Sequence, residues 1–247
     1  MVFVTKTSHY RFIDIIIAFL VTVLIVSNVA SSAKIVDLGI TIFGFWGIPS
    51  IRLAFDGGTL LFPIAYILGD VLTEVYGFKV TRRVIWTSFA ALALTSFFLF
   101  VLSILPGEAL WEQYAGTAAF NAILGGMSTG GIVLASLSAF LVGKFSNSII
   151  LSRLKVLMKG NALWVRIIGS SLVGQLLDSL VFVFVASLTG VFRWELFVTL
   201  VLTNYLFKMA IEIGLFPLTV LAVRKLKEAE GIDVYDVGVK LNPFARG

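Results

Sequence analysis

Long apolar blocks, separated by short polar segments, follow one another along the whole chain. A helix that crosses the hydrocarbon core of a bilayer needs about 20 apolar residues. Six blocks come close to this length, at residues 12–32, 59–76, 84–105, 129–150, 167–188 and 197–223. The pattern predicts an all-α integral membrane protein in which residues 1–247 form a single domain, a bundle of six transmembrane helices.

The composition strengthens this interpretation, because 59% of the residues are hydrophobic and only 13% are charged. An ordinary soluble domain is about 45–50% apolar and about 25% charged. The first block is longer than the stretch of about 7–15 apolar residues in a signal peptide. We therefore expect it to remain in the protein as a membrane helix.

Missing residue types exclude several kinds of chemistry. The chain has no cysteine and a single histidine, His9, which excludes disulfides, thiolate ligands and His-rich metal sites. It also lacks the phosphate-binding loop of ATPases and the HExxH and GxSxG motifs of hydrolases. An intramembrane enzyme would need a nucleophile–base or metal constellation, and the sequence contains none. We expect neither catalytic activity nor a bound cofactor.

Lysine and arginine alternate from one side of the predicted membrane to the other. If the N-terminus is cytoplasmic, fourteen of them fall on the inside and three, Lys34, Arg52 and Arg193, on the outside. Cytoplasmic loops carry such an excess, so both termini and the tail 224–247 are predicted to be cytoplasmic. The same rule accounts for the excess of 19 Lys and Arg over 14 Asp and Glu without a nucleic-acid partner.

Two predicted external segments are longer than simple turns. Residues 35–55 combine β-branched residues with glycines and a proline, and either a short hairpin or a re-entrant piece would fit. Residues 106–121 are expected to form a surface helix or loop. The glycine-rich stretch 125–131 is interpreted as a turn followed by the start of a helix.

Six ionisable side chains lie within or near the predicted helices. A charge at the centre of a membrane helix costs about 2.5–3.5 kcal/mol, so these side chains must face the bundle interior or water. Positions i, i+3 and i, i+4 share one face of a helix. Four such faces can be found in the sequence: Asp70 with Glu74; Lys144 with Asn147; Gln175 with Asp178; and Asn204 with Lys208 and Glu212.

These faces predict a path for a substrate or an ion. Asp70, Asp178 and Lys208 fall near the midplane, where alternating-access carriers bind substrates, and Glu74, Lys144 and Asn147 nearer the cytoplasm. We expect Asp178 and Lys208 to line the site, and Asp70 or Glu74 to bind substrate or a transferable proton. The candidate substrate-binding residues are Asp70, Glu74, Gln175, Asp178, Asn204, Lys208 and Glu212, and the candidates for coupling or gating are Asn28, Lys144 and Asn147.

A purely structural role is the alternative. Lys208 would then pair with Glu212 or with Asp178 and fix the packing of the helices. Small polar side chains also hydrogen-bond between membrane helices, and this is the favoured interpretation of Ser27, Ser31, Ser170 and Ser171.

Residues 141–151 and 172–182 resemble each other, since both begin Leu-Val-Gly and carry two polar residues three positions apart. Such a repeat would relate the fourth and fifth helices as partners of opposite direction, as in many transporters. Chance similarity between two apolar segments is the alternative.

Several motifs resemble the queuosine precursor transporters, a family also described as vitamin uptake transporters. The most specific is Gly69-Asp-Val-Leu-Thr-Glu-Val-Tyr-Gly77, within residues 55–77. Residues 171–182 and 204–212 resemble the family's fifth and sixth helices. The tail, with Asp233-Val-Tyr-Asp236 and Asn242-Pro-Phe244, is similar to that of the Gram-positive and archaeal branch. The resemblance covers nearly the whole chain.

The resemblance implies uptake of 7-deazaguanine bases, such as 7-cyano-7-deazaguanine, for queuosine synthesis in transfer RNA. It places the protein in a bacterial or archaeal plasma membrane, and nucleic acid is not expected as a partner. The expected partners are the nucleobase and the lipid bilayer, with a coupling proton or ion and self-association left open. Members of the family often carry Gln and Asp where this chain has Lys144 and Asn147, so specificity or coupling can differ here.

The chemistry is compatible with such a substrate. A guanine-like ring presents N–H donors along one edge, which a buried carboxylate such as Asp178 or Asp70 could accept. Gln175 and Asn204 can both donate and accept. The competing hypothesis is a substrate-binding subunit of an energy-coupling-factor vitamin uptake system. Such subunits carry an Ala-x-x-x-Ala motif in the first helix, whereas the first helix of this chain has none and the fourth has one, at Ala135 and Ala139.

Overall fold

The computed structural model describes residues 10–42, 51–128 and 130–245. Helices dominate these ranges, and a pair of strands follows the first helix. In chain order the elements are α1 (Ile13–Ala33), β1 (Ile35–Ile42), β2 (Ile51–Asp56), α2 (Phe62–Ile104), α3 (Ala109–Tyr114), α4 (Gly116–Ser128), α5 (Gly130–Leu157), α6 (Leu163–Leu188) and α7 (Phe197–Glu230).

Five helical stretches in the described ranges are long and apolar enough to cross a bilayer: Ile13–Ala33, Pro63–Ile104, Gly116–Leu157, Leu163–Leu188 and Trp194–Glu230. Many of their large apolar side chains are exposed, including Phe97, Phe98 and Ile104 in the second half of α2. Soluble proteins rarely expose apolar surface on this scale. The chain is therefore an all-α, multi-pass membrane protein, and this part of the prediction is confirmed.

Gly77 interrupts α2. A straight helix of its 43 residues would be about 65 Å long, about twice the thickness of a bilayer core. Gly77 has φ 81° and ψ 171°, a conformation that an L side chain disfavours, and it divides α2 into residues 62–76 and 78–104. Helix resumes directly after it, where a loop had been predicted at 77–83. Six crossings require both parts of α2 to span the bilayer, and that number stays a prediction.

The region between α2 and α5 is more helical than predicted. Glu108 caps α3 by accepting hydrogen bonds from the backbone N–H groups of Leu110 and Trp111, at 2.8 and 2.9 Å. Such a cap satisfies donors that the first helical turn leaves unpaired. The predicted turn at 125–131 was wrong in its first part, because Gly125 and Gly126 lie inside α4. The next helix, α5, begins at Gly130.

The segment after α1 contains the antiparallel strands β1 and β2, which pair from Ile35 opposite Asp56 to Ile42 opposite Ile51. Residues 43–50, which join them, lie outside the described residues. Whether this segment is external or enters the membrane stays a prediction.

The helix α7 continues to Glu230 and so includes the first residues of the predicted tail 224–247. From Gly231 the tail folds back onto the break in α2. The Val234 N–H donates to the Val75 carbonyl at 3.3 Å, and the Asp236 carboxylate accepts from the Phe78 N–H at 2.8 Å and from the Ser152 hydroxyl at 2.7 Å. A side chain at Gly77 would meet Val234 and Asp236 within 3 Å. The tail thus holds both parts of α2 against α5.

Candidate functional site

A narrow cavity lies between α2, α5 and α6, and polar side chains surround it. Its interior space is about 10 Å³, enough for about one water molecule. A purine-sized ring can enter only if the helices move apart. The lining residues are Tyr66, Gly143, Lys144, Asn147, Ser171, Gly174, Gln175 and Asp178.

Two glycines bring the cavity walls together where α5 meets α6. A methyl group on Gly143 would lie 2.7 Å from the Asp178 Cβ, and one on Gly174 would lie 2.7 Å from the Asn147 Cβ. Real side chains do not pack so closely, so only glycine permits this contact. Both glycines belong to the two similar segments, 141–151 and 172–182. Gly143 faces Asp178, which lies four positions after Gly174, and Gly174 faces Asn147, which lies four positions after Gly143.

A partly buried ion pair forms one wall of the cavity. Lys208 on α7 donates to the Asp178 carboxylate on α6, and their side chains are only 22% and 18% exposed. The Lys208 ammonium also faces the Tyr66 hydroxyl. Lys144 lies on the other side of this tyrosine, with its Nζ 4.1 Å from the ring centroid, a cation–π distance. The cavity therefore combines an aromatic face with both signs of charge.

Two buried amides line the cavity, and each donates to a carboxylate behind it. The Asn147 Nδ2 donates to the Asp70 carboxylate at 2.7 Å, and the Gln175 Nε2 donates to Glu212. All four residues are at most 8% exposed. The amide oxygens, Asn147 Oδ1 and Gln175 Oε1, have no hydrogen-bond partner among the described residues. The site thus contains unused buried acceptors.

Seven of the ten predicted site residues converge on this cavity or on the side chains that form its walls: Asp70, Lys144, Asn147, Gln175, Asp178, Lys208 and Glu212. The sequence predicted that Asn147 lies nearer the cytoplasm than Asp70. In the structure the two side chains are in direct contact. Asn28 is not in the group, since its amide donates to the Leu24 carbonyl of its own helix at 2.8 Å. Asn204 is not among the lining residues.

Glu74 also lies elsewhere, in a buried ionic cluster. Its Oε1 lies 2.8 Å from Arg166, 2.8 Å from Lys227 and 3.6 Å from Lys155. Its side chain is fully buried. A carboxylate surrounded by three cations is not available to a substrate in the cavity. Glu74 therefore lies apart from the cavity, in a position that favours a role in packing over its expected role in substrate binding.

The tail completes this cluster through Asp233, whose carboxylate lies 2.5 Å from Lys155 and 2.8 Å from Lys227. Burial raises the pKa of Asp233, but hydrogen bonds from both lysines more than offset it, so the pKa lies below its ordinary value. Asp233 is therefore ionised at neutral pH and ties the tail to α5 and α7.

The sequence interpretation missed Tyr66 and the burial of two cations. Tyr66 precedes Asp70 by four positions, and this helical spacing could have identified it. Lys155 and Arg166 were counted as loop charges, yet they are 2% and 1% exposed. No feature of the sequence distinguishes them from exposed basic residues. Ser27 donates to the Gly58 carbonyl at 2.9 Å, which agrees with a role in packing.

Comparison with known proteins gives consistent matches. Residues 56–222 match the profile of the family described as "Putative vitamin uptake transporter". The "Queuosine precursor transporter" of Escherichia coli K12 is 27% identical over 76% of this chain and 77% of its own length. The "Probable queuosine precursor transporter" of Bacillus subtilis 168 is 25% identical over 70% and 73%, and that of Haemophilus influenzae Rd is 28% identical over 64% of each chain.

No solved structure matches the chain significantly. The family profile nevertheless covers more than half of the chain, and the residues that carry it include the glycine-bounded motif 69–77 and most of the cavity lining. The chain belongs to the family of vitamin uptake transporters that includes these queuosine precursor transporters.

Proposed function

We propose that this protein imports a queuosine precursor, 7-cyano-7-deazaguanine or a related 7-deazaguanine base, across a bacterial plasma membrane. The observation that carries the proposal is the cavity between α2, α5 and α6. It gathers aromatic, amide and charged side chains inside an otherwise apolar bundle, in a chain whose relatives are named queuosine precursor transporters.

The cavity chemistry suits a flat, polar base. The Tyr66 ring offers a face on which a heterocycle can stack, and the Asp178 carboxylate can accept from ring N–H groups. Lys208 keeps the Asp178 charge compensated while the site is empty. Arranging these groups costs energy in an apolar bundle, and that cost is understandable if they bind a polar substrate.

The protein acts in this proposal as a secondary carrier. Its cavity is too narrow for a base in the observed conformation, so uptake requires the helices around it to separate on one side and then on the other. A proton or another ion supplies the driving force, and the chain works without a separate ATP-driven module. Both termini face the cytoplasm.

Restoration of queuosine tests the proposal. The gene is expressed in a strain that cannot make the precursor, lacks its own importer and has no energy-coupling-factor module. Feeding 7-cyano-7-deazaguanine should restore queuosine in transfer RNA. Restoration only after such a module is co-expressed would favour a substrate-binding subunit. Normal membrane expression without restoration by the cyano, aminomethyl or queuine forms would contradict the proposal.

A further inference from the structure

We propose that Asp70 and Glu212 are positioning residues that turn the amide oxygens of Asn147 and Gln175 into the cavity, so that the site selects bases by their N–H donors. This inference rests on the proposed function and specifies which edge of the substrate is read.

The orientation follows from the chemistry of the two amide–carboxylate pairs. A primary amide has one donor end and one acceptor end, whereas an ionised carboxylate only accepts hydrogen bonds. Asn147 must therefore direct its NH₂ group to Asp70, at 2.7 Å, and Gln175 must direct its NH₂ group to Glu212. The oxygen of each amide then points away from its carboxylate.

Both oxygens remain without a partner among the described residues, although Asn147 and Gln175 line the same cavity. Buried carbonyl oxygens are nearly always hydrogen-bonded, and leaving them unpaired destabilises the empty site. Donors from a ligand would remove this penalty. Asp178, which lines the same space, adds a third acceptor.

These acceptors come from two helices, since Asn147 lies on α5 and Gln175 and Asp178 lie on α6. A ligand that satisfies both amide oxygens needs at least two N–H groups. The edge of a 7-deazaguanine that carries the ring N1–H and the 2-amino group has this pattern. A base without the 2-amino group would leave one buried oxygen unpaired.

The test compares two substrates in proteoliposomes: 7-cyano-7-deazaguanine and the same base without its 2-amino group. The wild-type protein should prefer the 2-amino base by at least about tenfold in kcat/KM, the effect of one buried hydrogen bond. Glu212→Gln frees Gln175 to present its NH₂ group to the cavity, and Asp70→Asn frees Asn147 likewise. In both variants the preference should fall to about twofold or less.

Matched controls keep the same chemical change outside the site. Glu112→Gln and Asp14→Asn alter exposed acids and should retain the wild-type preference. Glu212→Asp keeps a carboxylate at this position and should retain most of the preference for the 2-amino base.

If Glu212→Gln or Asp70→Asn fails to fold, Gln175→Met provides the second measurement, because it keeps the size of the side chain but removes its oxygen. It should lower kcat/KM for the 2-amino base by about five- to tenfold. An unchanged preference in the folded Gln and Asn variants, or wild-type kinetics in Gln175→Met, overturns the inference and leaves import intact. Uptake of neither base by the wild-type protein overturns the proposed function and this inference together.

Discussion

Gly143 on α5 and Gly174 on α6 lie directly against each other, so that a methyl group on either would come within 3.1 Å of the other's carbonyl oxygen. The contact is reciprocal, because Gly143 also faces Asp178 and Gly174 also faces Asn147. Small residues allow such close approach of membrane helices. The position of the cavity walls therefore depends on two residues that have no side chain.

Gly174→Ala should separate α5 from α6, since its Cβ would lie 2.7 Å from the Asn147 Cβ. Overpacking of this kind lowers the free energy of unfolding by about 1–3 kcal/mol, and the displaced Asn147 should weaken substrate binding. Thermal unfolding in detergent and uptake in vesicles measure the two effects. Gly214→Ala on α7 is the matched control, because no atom lies within 4 Å of its added methyl group. Equal stability and uptake of the two variants would contradict the prediction.

The pair Asp178 and Lys208 should be functional rather than structural. Removing one partner leaves a buried charge uncompensated, and because both side chains are partly exposed we expect a loss of about 1–3 kcal/mol in each of Asp178→Asn and Lys208→Met. The double variant should regain stability, since both charges are gone, but not uptake. Uptake is normalised to folded protein in the membrane. Wild-type uptake by the double variant would show that the pair only holds the helices together.

Glu74→Gln should affect folding and leave substrate affinity unchanged. The substitution leaves three cations around an uncharged side chain, and breaking such a buried network costs about 3 kcal/mol. Folded yield and KM are measured together. The control is Glu228→Gln, which changes an exposed acid next to Lys227 on α7. A raised KM in a variant of normal stability would return Glu74 to the substrate site.

Docking of the tail should be insensitive to pH near neutrality and be lost in acid. A group whose pKa is lowered by folding stabilises the folded form above its ordinary pKa, about 4 for aspartate. This stabilisation is lost as the pH falls through the lowered value. Because the pKa of Asp233 is lowered by its bonds to Lys155 and Lys227, the tail should stay docked between about pH 5 and pH 8 and detach below about pH 4.

A spin label at Val237→Cys can report this step, since Val237 is exposed and the chain has no other cysteine. Label mobility should rise only in acid, and Asp233→Asn should increase it at neutral pH. Mobility that rises between pH 7 and pH 5 in the parent protein would contradict the assigned role of Asp233.

The topology follows from the alternation of positive charges. Reporter fusions after Arg83, Arg166 and Lys227 should be cytoplasmic, and fusions near Gly107 and Arg193 should be external. The Gly107 fusion is decisive for α2. If the parts of α2 before and after Gly77 each cross the bilayer, the Gly107 reporter is external; if α2 crosses only once, it is cytoplasmic. A cytoplasmic reporter at Gly107 would exclude the six-helix topology.

The sequence alone determined that this is a membrane protein and that several ionisable side chains of its helices face the interior. Long apolar blocks leave few other stable structures, and the energetic cost of exposing a charge to lipid forces Asp70, Asp178 and Lys208 inward. The spacing of Asn147 and Gln175 placed them on the same faces. These conclusions need only local periodicity and the properties of the bilayer.

Only the tertiary structure decided which of these side chains meet. Asp70 and Glu74 share one face of α2, yet Asp70 reaches the amide of Asn147 while Glu74 reaches Arg166 and Lys227. That difference depends on where α5, α6 and α7 cross α2, and helix crossings are set by packing between residues far apart in the chain. The position of the tail also depends on contacts between distant residues, because the hydrogen bond that the Phe78 N–H donates to Asp236 joins positions 158 residues apart. Local patterns contain no information on such distances, so the division between the polar cavity and the ionic cluster came from the fold.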